Sequence, residues 1–411
     1  MDFGTVATTY RALEGTQATL EKTDILADLF QRADGPLLSK LVDLVRGRVF
    51  SDWQSDDLGV SSALTLEAIS KATGVDQDTI EVWWREVGDL GSAAARAVSN
   101  RSQRTLVQDT LDVETVHETL QALATYSGTG SQSRKVDAIA GLLTHAGPDE
   151  ARYLVRTVLG TMRLGVGTGL VRDALGAAFL DGSDEDAAAI ERAFEVTNDF
   201  GLVAERVREQ GRDGLDALGV ELFRPVKPML AHKADDMAAA LDELGDTTGE
   251  VLLETKYDGI RAKLHRRDDD IRIFTRRLED VTEQFTDVVA AARDHLAATD
   301  YIVEAEVVGY DPGSGRTVPF QQLSQRIKRK YAIDELAEQI PVTVYAFDLL
   351  YLDGGSLIDR PLRDRLDRLA SILTLDPGRI ERTANRRTAS LSTATEFYVN
   401  EWLAEHGYQA R

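Results

Sequence analysis

The chain has 411 residues, 43% of them hydrophobic, which is enough for two or three domains with packed cores. Its 47 basic and 69 acidic residues give a net charge of -22, the wrong sign for a uniformly basic nucleic-acid-binding surface. Cysteine is absent, which excludes disulfides and thiolate zinc sites, and the lack of a secretory signal or membrane-length apolar run predicts a cytoplasmic protein without membrane contact.

Residues 1–220 are predicted to form an all-α domain. Apolar residues recur at helical spacing over 23–49, where Pro36 separates two helices, and again over 61–75 and 78–87. Short segments containing Gly, Pro or Asp separate these stripes and indicate the loops between helices. We therefore expect a compact helical domain in the first half of the chain.

The segment 221–235 is predicted to be a linker, because Pro225 and Pro228 fix φ and remove backbone donors. Residues 236–411 then change to strand-like runs with intervening helices, the pattern of an α+β domain. A helix is predicted over 281–296 from its apolar face. The predicted strands are 251–256, 260–265, 271–276, 301–308 and 342–352.

Lys256 stands at the end of an apolar run, and Asp258 and Gly259 come after it before a second alternating run begins at Ile260. This pattern predicts a β-hairpin in which strand, tight turn and strand succeed one another. A lysine held there can attack a nucleotide α-phosphate and keep the nucleotide as a covalent adduct. A surface hairpin with a solvated lysine gives the same short pattern, so the interpretation depends on residues further along the chain.

Four further segments carry side chains suited to a nucleotide or to DNA. Arg276 ends a predicted strand, where a guanidinium can contact phosphate or ribose, although a charged surface loop gives the same pattern. Glu304 and Glu306 alternate onto one strand face, which is either exposed to solvent or, if buried among apolar residues, supplied with a cation or a metal. The basic stretch 326–330 suits either DNA phosphates or a solvated helix end. Phe347 offers a stacking surface for adenine, although ordinary core packing also explains a phenylalanine there.

Taken together, the order and spacing of these segments resemble the adenylation domain of ATP-dependent DNA ligases of the archaeal and eukaryotic type. The resemblance implies an enzyme that seals nicks in double-stranded DNA during replication, repair and recombination. It implies ATP as the cofactor, with Mg²⁺ or Mn²⁺ as the metal. Lys256 would be the nucleophile that carries AMP.

The resemblance also implies roles for the residues around the lysine. Glu254 would accept from adenine or position it, and Phe347 would stack on the same ring. Arg261 and Arg276 would contact ribose and phosphates. Glu306 would bind ribose or the metal.

The helical half is similar to the N-terminal DNA-binding domain of the same ligases, in segments 128–135 and 161–167. Such segments place backbone amides and hydroxyls at helix N-termini, where phosphates bind, although ordinary turns between helices give the same pattern. The resemblance implies nicked duplex DNA as the partner, with Arg134 and Lys135 as DNA contacts. It also allows a sliding clamp as a partner, and we expect a monomer.

The resemblance covers nearly the whole chain but not the whole family, whose members continue with a second metal-binding carboxylate, lysines that grip the α-phosphate and an OB-fold domain. Here His406 and Gly407 stand where His-Glu-Gly would be expected, and the sequence ends at Arg411. We therefore expect a C-terminally truncated or frame-shifted product with an incomplete adenylation domain, no OB-fold domain and weak or absent ligation. Ala305 replaces the glycine of the usual Glu-Gly-Glu, which predicts a tighter site.

Other interpretations stay open. An RNA ligase or capping enzyme shares the lysine motif, but the helical domain argues against it. A non-catalytic nick-binding remnant or pseudogene product would keep the ancestry without the activity. NAD-dependent ligases carry a cysteine zinc module, which this chain cannot form. The acidic runs 184–186 and 268–270 favour an origin in a halophilic archaeon, where a Debye length of about 3 Å in molar salt would screen repulsion from DNA.

Overall fold

The computed structural model describes residues 1–101, 110–229, 231–245, 248–329 and 331–405, with side chains as far as residue 401. The chain divides into two compact units, Met1–Gly219 and Val220–Arg411. Lys330, His406 and Gly407, to which sequence predictions were attached, lie outside the described residues. Within the described part of the chain, no helix has both the length and the apolarity needed to cross a membrane.

Helices are the regular elements of the described part of the first unit, and they are joined by turns and loops. The predicted break at Pro36 is confirmed, because one helix ends at Gln31 and Asp34 caps the next by accepting from the Leu37 backbone N–H. The helices are α1 (Phe3–Gly15), α2 (Thr19–Gln31), α3 (Gly35–Val45), α4 (Ser62–Thr73), α5 (Gln77–Val87), α6 (Leu90–Ser99), α7 (Val113–Thr125), α8 (Ser131–His145), α9 (Pro148–Val158), α10 (Thr168–Phe179), α11 (Asp184–Thr197) and α12 (Phe200–Asp216).

The second unit mixes strands and helices, as an α+β domain does. Its strands are β1 (Val251–Glu254), β2 (Ile260–Arg267), β3 (Asp270–Thr275), β4 (Asp300–Gly309), β5 (Val342–Leu352), β6 (Gly355–Ser356), β7 (Ile380–Arg382) and β8 (Asn385–Thr388). Its helices are α13 (Met237–Leu244), α14 (Thr286–His295), α15 (Phe320–Ile327), α16 (Ile333–Gln339), α17 (Leu362–Ile372) and α18 (Leu391–Glu405). The predicted strand 342–352 matches β5 at both ends.

Six strands form one mixed sheet in the order β3-β2-β4-β5-β6, with β7 parallel to β5 and the other pairs antiparallel. One face of this sheet is apolar and packs into a core that includes Leu264, Val303 and Leu349 together with Val288 of α14 and Leu369 of α17. Strand alternation therefore sends the other face of β2 and β4 away from this core.

The predicted β-hairpin around Lys256 is wrong. Strand β1 pairs with β8 in a separate two-stranded sheet, whereas β2 pairs with β3 and β4. Residues 255–259 therefore cross from one sheet to the other. Gly259 has no positive φ, so the glycine does not serve a tight turn. It is required by close approach, because a Cβ there would lie 2.4 Å from the Val307 carbonyl oxygen.

The helix predicted over 281–296 is also wrong at its start. A single 3₁₀ turn covers Thr282–Gln284, and α14 begins only at Thr286. The cause is pairing with β3, since Val281 donates to the Ile273 carbonyl and the Thr282 hydroxyl accepts from the Ile273 backbone N–H. These bonds hold the segment against the sheet edge and keep it from joining the helix.

The beginning of the predicted linker 221–235 packs into the second unit. Leu222 and Val226 are buried, and the backbone N–H of Phe223 donates to Nδ1 of His265 over 3.0 Å. The guanidinium of Arg272 lies 4.5 Å from the centre of the Phe223 ring. The first residues of this segment are therefore an ordered part of the second unit.

Candidate nucleotide-binding site

One cavity of about 1320 Å³ opens in the second unit, beside the crossing from β1 to β2. Backbone and side chains from the β1–β2 crossing, the loop after β3, strands β4 and β5 and helix α15 line it. The six residues predicted for a nucleotide site all line this cavity: Glu254, Lys256, Arg261, Arg276, Glu306 and Phe347. These six residues come from three separate parts of the second unit, the β1–β2 crossing with the start of β2, the loop after β3, and strands β4 and β5, and they share one chamber.

Lys256 is exposed to this cavity on a segment anchored on both sides. Before it, the Thr255 backbone N–H donates to the Ala384 carbonyl over 3.0 Å. After it, the Tyr257 ring stacks on Tyr345 with centroids 4.0 Å apart, and the Gly259 N–H donates to Oε1 of Glu306 over 3.1 Å. The lysine thus projects from a fixed backbone, which is what a positioned nucleophile needs.

Strands β2 and β4 place four charged side chains on the sheet face opposite the core. In the strand register Arg261 pairs with Glu306, and Lys263 pairs with Glu304. The residues between them, including Ala305, point the other way into the apolar core. The prediction that Ala305 tightens the site is therefore wrong, because its methyl group lies on the core face.

Glu304 is buried among cations. Its carboxylate lies 2.9 Å from Nζ of Lys263 and accepts a hydrogen bond from Nη2 of Arg261. Burial alone would raise the pKa of Glu304, but Lys263 and Arg261 hold it below its usual range. The carboxylate is therefore ionised and serves as the common acceptor for two cations.

Glu306 has a different environment from Glu304, although both lie on the same strand face as predicted. Desolvation raises the pKa of Glu306 to about 7, against the smaller opposing effects of the Gly259 hydrogen bond, Arg261 and Lys256. A cation placed beside a half-buried carboxylate with this pKa stabilises its ionised form. Glu306 is accordingly the carboxylate of the cavity best suited to a metal or a ribose hydroxyl.

Phe347 reaches the cavity through a β-bulge. The register between β4 and β5 shifts at this point, since Glu304 pairs with Asp348 and Ala305 with Ala346, which leaves Phe347 unpaired. Bulges redirect a side chain relative to the strand. The ring is half-buried, lines the cavity and lies 5.2 Å from the Arg261 guanidinium carbon. Ordinary core packing does not describe it.

Glu254 lies at the end of β1, exposed to the cavity. Desolvation within the cavity and the nearby carboxylate of Asp348 raise the pKa of Glu254. Asp348 itself is held by two bonds of 2.8 and 2.9 Å from Arg365. Sequence reasoning missed this bidentate pair, because its two members are 17 positions apart and carry no motif.

Arg276 lies in a strained loop directly after β3. Leu278 adopts a left-handed backbone with φ of 67° while its side chain is buried, and Thr275 accepts from its backbone N–H. This geometry turns the exposed Arg276 and Arg277 into the cavity wall. Arg277 was missed by the sequence interpretation, although its place beside Arg276 was a signal for it.

The basic stretch 326–330 divides into two kinds of residue. Arg326 is 1% exposed and forms a 2.7 Å ion pair with Asp287, so the interpretation of this arginine as a DNA contact or a solvated end is wrong. Its guanidinium also lies 4.4 Å from the Phe285 ring centre and fixes α15 to the core. Lys328, in contrast, is exposed and lines the cavity.

The cavity is more basic than the chain as a whole. Five cationic side chains line it against four carboxylates, an excess of one positive charge when all are ionised, in a chain of net charge -22. The cations are Lys256, Arg261, Arg276, Arg277 and Lys328, and the carboxylates are Glu254, Asp258, Glu279 and Glu306. Such a lining suits a polyanionic ligand with an aromatic base.

Among the described residues, no group of three or more His, Asp and Glu side chains is placed to hold a metal ion unaided. Mg²⁺ commonly takes one or two protein carboxylates and completes its shell with phosphate oxygens and water. Glu306 could supply one such carboxylate. The residues therefore fit a metal that arrives with a nucleotide, and not a closed protein site.

In the first unit, Arg134 and Lys135 lie in α8 near its N-terminus but differ in exposure. Arg134 is exposed, donates to the Ser127 carbonyl over 2.8 Å and lies over the Tyr126 ring. Lys135 is 8% exposed, and its ammonium donates to the Leu58 and Gly59 carbonyls over 2.6 and 3.1 Å. In this structure Lys135 ties a loop to the helix and is not presented as a surface contact.

The second predicted DNA-contact segment, 161–167, is held in a similar manner. Buried Lys22 donates from Nζ to the Leu164 carbonyl over 2.6 Å. The segment leads directly into α10, whose N-cap is Gly167. The backbone before this helix is therefore fixed by an internal lysine, while the helix N-terminus offers unsatisfied N–H groups.

Two family models match the chain. One described as "ATP dependent DNA ligase domain" matches residues 228–406, and one described as "DNA ligase N terminus" matches residues 2–176. The cavity lies within the first match, and the segments 128–135 and 161–167 lie within the second.

Curated relatives give the same result. A protein named DNA ligase from Methanothermobacter thermautotrophicus is 44% identical over 376 residues, which cover 92% of this chain and 66% of that protein. A DNA ligase from Thermococcus fumicolans is 39% identical over 398 residues, 97% of this chain and 70% of that protein. The chain thus spans about two thirds of the length of these relatives. A solved structure named Pmar-Lig_Pre. is similar in fold, with a TM-score of 0.51 at 14% identity over 98% of this chain and 72% of that one.

Proposed function

This chain belongs to the ATP-dependent DNA ligase family, and on that premise we propose that it seals nicks in double-stranded DNA through a lysyl-AMP intermediate. The observation that carries the proposal is the convergence of Lys256 with five predicted nucleotide contacts on one locally basic cavity. In the first step the uncharged Lys256 amine would attack the α-phosphorus of ATP. A phosphorus–nitrogen bond would form and the bond to the pyrophosphate oxygen would break, which releases pyrophosphate, while the amine proton would pass to solvent water.

The remaining cavity residues bind and orient the nucleotide in this proposal. Phe347 would stack on adenine, and Glu254 would position the same ring. Arg261 and Arg276 would neutralise phosphate charge and orient the ribose. Glu306 would bind a ribose hydroxyl or contribute to a divalent metal, Mg²⁺ or Mn²⁺, whose bound form polarises the phosphate oxygens.

Nicked duplex DNA is the partner that we propose for the helical unit, with Arg134 as its exposed contact. We assign Lys135 to the support of that surface, because its ammonium is engaged by two carbonyls. The match of this unit to a DNA ligase N terminus favours DNA over the RNA ligase or capping alternative. A monomer is the proposed working form, and a sliding clamp stays a prediction from the resemblance.

We further propose that the acidic composition is an adaptation to molar salt. The net charge of -22 opposes DNA binding at low ionic strength, whereas a Debye length of about 3 Å at molar salt confines repulsion to neighbouring charges. The basic cavity and Arg134 would then act locally against a screened acidic background.

The experiment that tests the proposal is a two-stage assay in molar KCl with MgCl₂. The purified chain is first incubated with α-labelled ATP and then given nicked DNA duplex or nicked RNA duplex. We expect label on the protein, then its transfer to the 5′-phosphate of DNA and appearance of sealed product, with Lys256→Ala inert throughout. Sealing of RNA alone would favour the RNA ligase alternative, and DNA binding without labelling would favour a nick-binding protein.

A further inference from the structure

A buried ionic cluster supports the nucleotide cavity from the sheet side. Lys263 on β2 has 1% of its side chain exposed, and Glu304 on β4 has 6% exposed. Nζ of Lys263 lies 2.9 Å from Oε1 of Glu304, and Oε2 of the same carboxylate accepts from Nη2 of Arg261. Apolar residues of similar volume often replace a buried ion pair without loss of stability, so this arrangement calls for a role besides stability.

Arg261 is the member of the cluster that reaches the cavity. About a third of its side chain, 32%, is exposed, and its guanidinium carbon lies 5.2 Å from the centre of the Phe347 ring. The Glu304 carboxylate on one side and the Phe347 ring on the other restrict the orientation of the guanidinium. A planar guanidinium has five N–H donors, so one bond to Glu304 leaves donors for an anionic ligand.

Lys263 also determines the net charge that the cluster presents. Arg261 and Glu304 alone would form a neutral pair, whereas addition of Lys263 leaves an excess of one positive charge. His265, the next residue on this strand face, adds no charge to the cluster, because burial lowers its pKa to about 3, and its Nδ1 accepts the Phe223 backbone N–H. Lys263 therefore balances the negative charge of Glu304, so that Glu304 can orient Arg261 while the cluster keeps one positive charge.

We propose that Lys263 is a positioning residue of the nucleotide site, which acts by holding one oxygen of Glu304 so that the other directs the Arg261 guanidinium into the cavity. The inference rests on the proposed function and deepens it. Lys263 itself does not line the cavity, so it acts through Glu304 and not by contact with a ligand.

The test is a double-mutant cycle on ATP affinity, measured calorimetrically in molar KCl with MgCl₂ in a Lys256→Ala background that prevents chemistry. We expect Lys263→Met and Glu304→Gln each to raise the Kd for ATP about tenfold, as loss of one oriented charge-assisted contact does. The double variant is expected to bind no more weakly than Glu304→Gln alone, because both changes interrupt the same route. The matched control is Lys71→Met, which removes an exposed, ion-paired lysine of the helical unit and should leave Kd unchanged.

Thermal unfolding of the same proteins separates positioning from packing. Lys263→Met leaves Glu304 buried with one fewer cation, so its Tm should fall, and the neutral glutamine of the double variant should restore much of it. A positioning role predicts that affinity does not recover with Tm, whereas recovery of both would overturn the inference. If Lys263→Met does not fold, the double variant and Glu304→Gln decide the question, since weaker binding by the double variant contradicts action through Glu304.

Failure of the proposed function gives a different pattern. The parent in this experiment is the Lys256→Ala protein without further changes. If neither this parent nor the wild-type protein binds ATP, the proposed function and this inference fall together. If the parent binds ATP and Lys263→Met binds it within twofold of the parent, the inference alone is overturned.

Discussion

Replacement of Gly259 by alanine tests whether the close approach of the crossing segment to β4 positions Lys256 for adenylation. An ideal Cβ at this position lies 2.4 Å from the Val307 carbonyl oxygen, 3.0 Å from its carbon and 3.1 Å from Cγ of Glu306. Val307 belongs to the paired strand β4, so its backbone cannot move without disturbing the central sheet. The crossing segment that carries Lys256 must instead shift by several tenths of an ångström or more.

The expected cost is about 1–3 kcal/mol of unfolding free energy, the range for added volume at a close-packed position. Adenylation should fall by about 10²-fold, because a shift near 1 Å at a nucleophile removes its alignment with the phosphate. The shift also lengthens the 3.1 Å bond from Gly259 N–H to Glu306. The assays are the rate of AMP adduct formation at saturating ATP and chemical unfolding in the same buffer.

The matched control is Gly313→Ala, at which the nearest atom to an added Cβ is Oδ1 of Asp311 at 3.5 Å. Gly313 has no positive φ, so an alanine fits its backbone and should change neither stability nor adenylation. Wild-type adduct formation by Gly259→Ala would refute the argument that close approach to Val307 positions Lys256.

Three further predictions concern charge. Because the pKa of Glu306 is raised from 4.5 to about 7, the folded protein binds more protons than the unfolded chain between these values, and unfolding free energy should fall as pH rises through that window. Glu306→Gln should flatten this pH dependence and be more stable than the wild-type protein by about 1–3 kcal/mol at pH 8. If the variant keeps the wild-type dependence of unfolding free energy on pH, the raised pKa does not belong to Glu306. Arg134→Ala should weaken binding to nicked duplex DNA with little loss of stability. Lys135→Met should lower the unfolding free energy by about 2–3 kcal/mol, because it leaves the Leu58 and Gly59 carbonyls unpaired. Equal stability of the two variants in urea would refute a surface role for Arg134 and a supporting role for Lys135. Transfer to about 0.1 M KCl, where the Debye length reaches about 10 Å, should destabilise the protein through repulsion among its acidic residues, and a Tm independent of KCl would argue against adaptation to high salt.

Local pattern was sufficient to predict most helices and strands, and the resemblance to ATP-dependent DNA ligases supplied the six residues that line the cavity. Pro36 predicted the break between two helices, and the apolar run 342–352 predicted the full extent of β5, because both depend on interactions within a few residues. The six site residues were predicted from motif order, and they line one cavity as that order implies. Their chemical roles stay predictions until they are tested.

Strand pairing could not be predicted in the same way. Asp258 and Gly259 between two apolar runs have the local signature of a hairpin, yet β1 pairs with β8, more than 130 positions further along the chain. The glycine serves a contact with Val307 that no local pattern encodes. Likewise, Lys135 and Arg326 look like surface cations in sequence, but tertiary acceptors distant in the chain bury them.

The measurement that tests the central claim most directly is intact mass of the protein after incubation with ATP and MgCl₂ in molar KCl, with peptide mapping of the product. The account predicts a mass increase of one AMP, located on Lys256, and no increase for Lys256→Ala. An AMP on another residue, or folded wild-type protein that binds ATP and remains unmodified, would contradict the assignment of Lys256 as the nucleophile.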